Sequence, residues 1–134
     1  MPRSKNRTDR PRALILVVER DPAVRELEAY FLEQAGHEVE FTDDGEKALA
    51  RARELVPDIL ITEILVPRLD GLALCRTLKQ DAATERIAVL VFSVLAASDR
   101  ARRAGADAFL MKPLAEQKLV KTVRQLLELN RQHA

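Results

Sequence analysis

The stretch PDILITEILVPRLDG, residues 57–71, decides the fold of this 134-residue chain. Residues 58–62 are mostly apolar and β-branched, which is typical of a strand buried on both faces. Glu63 follows the strand directly, and Asp70 and Gly71 mark the start of a helix. Open α/β sheets bind ligands at the carboxyl ends of their parallel strands, so Glu63 is the first candidate site residue.

Four further strand signals surround this stretch, at residues 13–18, 38–42, 87–92 and 107–111. The segments between them are helical in pattern; in the first, Val24, Leu27, Phe31 and Ala35 recur at helical spacing. Five strands alternating with five helices predict a three-layer α/β sandwich around a parallel sheet. The edge-like pattern of residues 38–42 and right-handed crossovers favour the strand order 2-1-3-4-5.

The predicted sheet brings the carboxyl ends of four strands to one crevice. The residues that would line it are Glu19, Arg20, Glu63, Ser93 and Lys112. A carboxylate at a strand end is a nucleophile that can take a phosphoryl group. Mg²⁺ bound by carboxylates would neutralise the transferred oxygens, and a lysine and a hydroxyl would complete the cradle. Lys112 and Ser93 suit the last two roles.

Composition indicates one soluble globular domain, with 47% hydrophobic and 32% charged residues. The longest apolar run, residues 13–18, is too short to span a membrane. A single cysteine, Cys75, excludes an internal disulfide and favours the cytoplasm. Residues 1–12 carry a net charge of +4 and few apolar groups, so we predict a basic disordered tail before a domain at residues 13–134. We interpret the tail as a solvated leader rather than a nucleic-acid contact.

Three motifs carry a resemblance to a known family: ILVVERDP (residues 15–22), PDILITEILVPRLDG, and GADAFLMKP (residues 105–113). Together with a strand ending at Ser93, they resemble the receiver domain of two-component response regulators, over residues 13–129. The resemblance implies a flavodoxin-like (βα)₅ fold and phosphoryl transfer from a histidine kinase to an aspartate. It also implies that phosphorylation changes a partner-binding face made by the fourth helix, fifth strand and fifth helix.

The resemblance assigns roles to individual positions of this chain. Lys112 matches the family's pocket lysine, Ser93 its switch hydroxyl and Phe109 its aromatic switch residue. Pro67 and Gly71 match loop and turn positions after the acceptor, and Leu65 matches the residue whose backbone carbonyl binds the metal.

Two positions depart from the family pattern. Glu63 stands in place of the acceptor aspartate, and Arg20 in place of the second acidic residue after Glu19. Arginine carries no lone pair for Mg²⁺, and Asp21 is interpreted as a helix cap rather than a replacement ligand. We therefore expect no metal cofactor, and an Arg20–Glu63–Lys112 network in place of Mg²⁺ and phosphate.

These departures predict a non-catalytic, stand-alone pseudo-receiver that acts by binding a protein, such as a histidine kinase, a downstream signalling protein or a second copy of itself. The alternative is an active single-domain response regulator that is phosphorylated by a histidine kinase through a non-standard carboxylate and uses Mg²⁺. A flavodoxin-like nucleotide or flavin binder is disfavoured because no glycine-rich loop follows the first strand.

Overall fold

The structure, a computed structural model, describes residues 12–132. The predicted tail therefore lies outside the described residues except for Arg12, which is exposed and 3.9 Å from a carboxylate oxygen of Glu38. No helix within the described range is long and apolar enough to cross a membrane.

Five strands and five helices alternate along the chain. The strands are β1 (Leu14–Val18), β2 (Glu38–Thr42), β3 (Ile59–Thr62), β4 (Ala88–Ser93) and β5 (Ala108–Met111). The helices are α1 (Pro22–Gln34), α2 (Gly45–Leu55), α3 (Gly71–Lys79), α4 (Ser98–Arg103) and α5 (Glu116–Gln132).

All strands are parallel, in the order β2-β1-β3-β4-β5, which confirms the sequence-based topology. The register pairs Val18 with Thr42 on one side and with Thr62 on the other. β4 and β5 extend two residues beyond β3, and all the strands end at the same edge of the sheet, so the carboxyl ends of β1, β3, β4 and β5 lie side by side there.

Successive side chains of each strand point to opposite faces of the sheet, so an apolar core forms on each face. One core joins Leu16, Leu60 and Val91 to the buried sides of α2, α3 and α4. The other joins Ile15 and Ile61 to the buried sides of α1 and α5. Every residue of β3 and β4 is buried, as expected for central parallel strands.

Aspartates begin three of the helices. Asp21, Asp44 and Asp70 each accept a hydrogen bond from a backbone N–H of the first turn that would otherwise lack a partner. The interpretation of Asp21 as a helix cap is confirmed. Asp21 lies three residues after the end of β1, so the first turn of α1 borders the candidate site.

The apolar residues that recur at helical spacing along α1 do not all lie on its buried side. Leu27 is 45% exposed, and the buried stripe of the helix instead contains Glu28 and Leu32. A stripe at four-residue spacing, from Val24 through Glu28 to Leu32, fits the 3.6-residue period and turns an acidic side chain inward.

Candidate functional site

Lys112 lies at the centre of the candidate site. Its Nζ atom is 2.7 Å from Glu19 Oε1 and 3.0 Å from Glu63 Oε2. The side chains of Glu19 and Glu63 are 3% and 4% exposed, so the lysine links two carboxylates that have almost no contact with water. The ammonium group of the lysine also lies over the Phe92 ring, with Nζ 5.5 Å from the ring centre. The structure thus brings together three of the strand ends predicted to converge.

The carboxylate of Glu63 accepts hydrogen bonds from donors on three segments of the chain. The Ser93 hydroxyl and the Ile64 N–H, at 2.6 Å, donate to Oε1, while the Val94 N–H, at 3.1 Å, and Lys112 donate to Oε2. The Leu65 N–H also points to Oε1, at a longer 3.4 Å. An ionised carboxylate offers about four lone-pair positions, so these donors saturate it.

The same contacts set the charge states of the pair. Burial alone would raise the pKa of Glu63, but hydrogen bonds from Ser93, Lys112 and Ile64 outweigh it and lower the pKa below its ordinary value. Burial alone would lower the pKa of Lys112, but hydrogen bonds to Glu19 and Glu63 raise it. Both groups are therefore charged at neutral pH, and the site holds a buried ion pair.

Arg20 does not take part in this network, so the expectation of an Arg20–Glu63–Lys112 network was wrong for its arginine. Arg20 is exposed and has no ion pair or hydrogen bond with any residue in the described part of the chain. Glu19 takes the inward position instead. Lys112 already pairs with both buried carboxylates, so the arginine is not needed to hold them, and a buried guanidinium would lose its own hydration.

The backbone around β1 fixes the inward position of Glu19. Its N–H donates to the Thr42 carbonyl at 3.0 Å, and its own carbonyl accepts from the Arg25 guanidinium at 3.2 Å. Its second carboxylate oxygen, Oε2, accepts from the Asp21 N–H at 3.2 Å. Glu19 therefore connects β1, β2 and the first turns of α1 to the lysine at the end of β5.

The loop after β3 packs against the backbone of Glu63 and Ile64. The Gly71 N–H donates to the Ile64 carbonyl at 2.9 Å, and a Cβ at Gly71 would lie 2.2 Å from the Glu63 carbonyl oxygen. Pro67 accepts from the Gly45 N–H at 3.0 Å, which joins the loop to the start of α2. The Leu65 side chain is 51% exposed. A glycine is thus required at position 71, because the start of α3 lies too close to the Glu63 carbonyl for any side chain.

The two positions that resemble switch residues are both linked to the sheet core. The Ser93 side chain is fully buried and, besides donating to Glu63, accepts from the Leu95 N–H at 3.1 Å. Phe109 on β5 is partly buried and packs against the apolar core on the α4 side. The hydroxyl of Ser93 therefore points towards the carboxylate of Glu63. Its bond with the Leu95 N–H also connects it to the loop that leads into α4.

Sequence reasoning missed one residue of this region, Glu28. Its side chain is 1% exposed, and no described residue hydrogen bonds to its Oε1 atom. Burial, followed by repulsion from Glu19, raises its pKa to about 8, although Lys112 acts in the opposite direction. The signal was its four-residue spacing from Val24 and Leu32, which places it on the inner stripe of α1.

The metal that the resemblance implies does not match the groups present. Mg²⁺ takes oxygen ligands at near-octahedral positions, usually from carboxylates and phosphate. Here the Glu63 oxygens are saturated by donors, Glu19 Oε1 is bound to an ammonium, and Arg20 stands where a second carboxylate would be. No group of three or more His, Cys, Asp or Glu residues within residues 12–132 is arranged to hold a metal ion.

The chain matches the family model for the response regulator receiver domain over residues 15–124. It is 35% identical over 116 residues to the DNA-binding dual master transcriptional regulator RpaA of Synechocystis sp., covering 84% of this chain and 48% of that protein. It is also 35% identical to the phosphate regulon transcriptional regulatory protein PhoB of Rhizobium meliloti, covering 84% and 51%. The chain thus spans about half the length of these two relatives.

Solved structures share the fold. The signal receiver domain of a signal transduction histidine kinase from Syntrophus aciditrophicus superposes with a TM-score of 0.81 at 33% identity, covering 87% of this chain and 90% of that one. The chemotaxis response regulator CheY4 of Vibrio cholerae gives a TM-score of 0.81 at 25% identity, covering 87% and 100%. The sequence-based expectation of a flavodoxin-like receiver fold is confirmed.

Proposed function

This chain belongs to the response regulator receiver domain family of two-component signalling, and we propose that it is a member in which a fixed charge network has replaced phosphorylation. The single observation that carries the proposal is the saturated carboxylate of Glu63. A carboxylate attacks phosphorus through a free lone pair on oxygen. The donors around Glu63 occupy those lone pairs, and Lys112 holds the anion without a metal.

The extra methylene of glutamate explains how the network forms. It carries the carboxylate deeper into the pocket than an aspartate would reach, to within hydrogen-bonding distance of Ser93 and the Val94 N–H. We infer that Glu63 thereby acts as a built-in mimic of the phosphorylated state, keeping Ser93 turned inward. In this interpretation the domain stays in one conformation, and its binding to a partner does not require a phosphoryl donor.

Protein contact is then the means by which the domain signals. The partner-binding face implied by the family comprises α4, β5 and α5, and it exposes charged and apolar groups together. Arg100, Arg102 and Arg103 of α4 are exposed, and Met111 at the end of β5 is 53% exposed. We propose a protein partner for this face, either a histidine kinase, a downstream signalling protein or a second copy of the chain.

Intact-mass measurement after incubation with acetyl phosphate and Mg²⁺ tests the proposal. We expect no added phosphate on the native chain. The matched control is the double variant Arg20→Asp, Glu63→Asp, which restores a short acceptor and a second acidic side chain in the same pocket. We expect this variant to gain one phosphate.

Either result on the native chain is decisive once the double variant is phosphorylated. An unmodified native chain means that the pocket is intact and only its acceptor chemistry is lost. A native chain that gains phosphate would overturn the proposal in favour of an active response regulator using a non-standard carboxylate. Mapping the modified residue by peptide mass spectrometry would then identify that carboxylate.

A further inference from the structure

Glu28 brings a third buried carboxyl group close to a pocket in which Lys112 is the one cation that residues 12–132 supply. The charged groups that act on it are Glu19 at the end of β1, Glu63 at the end of β3 and Lys112 at the end of β5. Lys112 contacts Glu19 and Glu63, and Glu28 Oε1 has no hydrogen-bond partner among the described residues. If all three carboxyl groups were ionised, the pocket would hold an excess of negative charge with little water to screen it.

The other elements packed around α1 provide no counter-charge. On the neighbouring strand β2, Glu40 pairs with Arg51 of α2. On α5, the basic side chains Lys118, Lys121 and Arg124 and the acidic side chains Glu116 and Glu128 are exposed, while Leu119 and Val123 form its buried face. On α1 itself, Arg25 donates to the carbonyl of Glu19.

A buried carboxyl group without a partner is far less costly when it is neutral than when it is charged. We propose that Glu28 carries a proton at neutral pH, and that release of this proton in mildly alkaline solution adds a negative charge that loosens the Lys112 network around Glu63 and Ser93. The proton passes to water or buffer, leaving a carboxylate that competes with Glu19 and Glu63 for the single ammonium group. The pocket of this receiver domain is therefore a pH-responsive element.

The sign of the effect on stability follows from the raised pKa of Glu28, about 8 when folded against an ordinary value of 4.5. The unfolded chain loses this proton first as the pH rises. The stabilisation due to the protonated form is therefore complete below about pH 4.5 and is lost progressively up to about pH 8. Above that, Glu28 is ionised in both states and contributes no further change.

Nuclear magnetic resonance on the native chain tests the proposal directly. The ¹³C shift of the Glu28 side-chain carboxyl reports its own ionisation between pH 6 and 10. The amide signals of Ile64 and Val94 report the network, because both N–H groups donate to Glu63. We expect all three signals to titrate with one shared midpoint near pH 8.

Glu28→Gln is the matched control, since it keeps the shape of the side chain and cannot ionise. We expect it to abolish the titration of the Ile64 and Val94 amides. In urea titrations, the unfolding equilibrium constant of the native chain should rise relative to that of Glu28→Gln by up to about tenfold per pH unit between pH 5 and pH 8. The NMR result stands even if the glutamine variant folds poorly.

A Glu28 carboxyl that is already ionised at pH 6 would overturn the proposal. So would Ile64 and Val94 amides that do not follow the Glu28 midpoint, because the acid would then be isolated from the network. The inference concerns the same pocket as the proposed function but does not depend on it. No phosphoryl donor is present in these titrations, so phosphorylation of the native chain would leave their outcome unaffected.

Discussion

Replacing Lys112 with methionine is the most direct test of the buried charge network. The change keeps an unbranched aliphatic side chain and removes the ammonium group, leaving the carboxylates of Glu19 and Glu63 buried without their shared cation. At the observed distances of 2.7 Å and 3.0 Å, Coulomb's law with an effective dielectric constant of about 20 gives a gross attraction of about 6 kcal/mol for each pair.

The net effect is smaller because forming the pairs also removes three charged groups from water. Deleting one partner of a buried ion pair costs about 3–5 kcal/mol, since the remaining charge stays buried. We expect Lys112→Met to lower the free energy of unfolding at pH 7 by that amount, a large part of the roughly 5–15 kcal/mol that stabilises a domain. Urea denaturation followed by far-ultraviolet circular dichroism measures the loss; the chain has no tryptophan for fluorescence.

Lys118→Met is the control, because Lys118 is an exposed lysine on α5 and its replacement should change stability by less than about 0.5 kcal/mol. The loss in Lys112→Met should also shrink as the pH falls below about 4.5, the ordinary pKa of a glutamate. The lowered pKa of Glu63 gives a stabilisation that is complete above that pH and is lost as the pH falls through the pKa of the folded chain. A Lys112→Met variant as stable as the Lys118→Met control at pH 7 would refute the reasoning.

Two further predictions concern buried polar groups. Ser93→Ala should cost about 1–3 kcal/mol in urea denaturation, because it removes the hydroxyl donor of a buried carboxylate and the acceptor of the Leu95 N–H, whereas Ser98→Ala at the exposed start of α4 should cost far less. Equal losses for the two alanine variants would mean that the Ser93 hydroxyl adds nothing to the network. Burial raises the pKa of Cys75 to about 11, so a thiol reagent at pH 8 should modify it only after unfolding; rapid labelling of the folded chain would contradict that burial.

The fold could be predicted from sequence because its signals are local and agree with one another. The apolar runs that became β1, β3 and β4 are short, separated by helical patterns and ended by charged or hydroxyl residues, so the strand order and the common edge followed from topology. The meeting of Glu63, Ser93 and Lys112 needed no knowledge of side-chain conformation, since all three sit at or directly after the carboxyl ends of parallel strands.

Arg20 and Glu28 could not be placed in the same way. Arg20 directly follows a residue of the site, and this position along the chain suggested a role. The position does not determine which way the side chain points, and the guanidinium is exposed. Glu28 was missed because an acidic residue on a surface helix usually faces water. Its burial follows from the rotation of α1 about its axis, with Leu32 on the buried side. The spacing of Glu28 from Val24 and Leu32 fits that rotation, but the apolar Leu27 suggested a different buried side.

The pair between Glu19 and Lys112 joins residues 93 positions apart in the chain, and this separation has a consequence for folding kinetics. The contact can form only after β1, β3, β4 and β5 are all assembled, because closing so long a segment of free chain is entropically costly. We therefore expect its stabilising effect to arise late, after the rate-limiting step of folding. The network should then act mainly by slowing the escape from the native state, which makes the pocket a determinant of how long the folded domain persists.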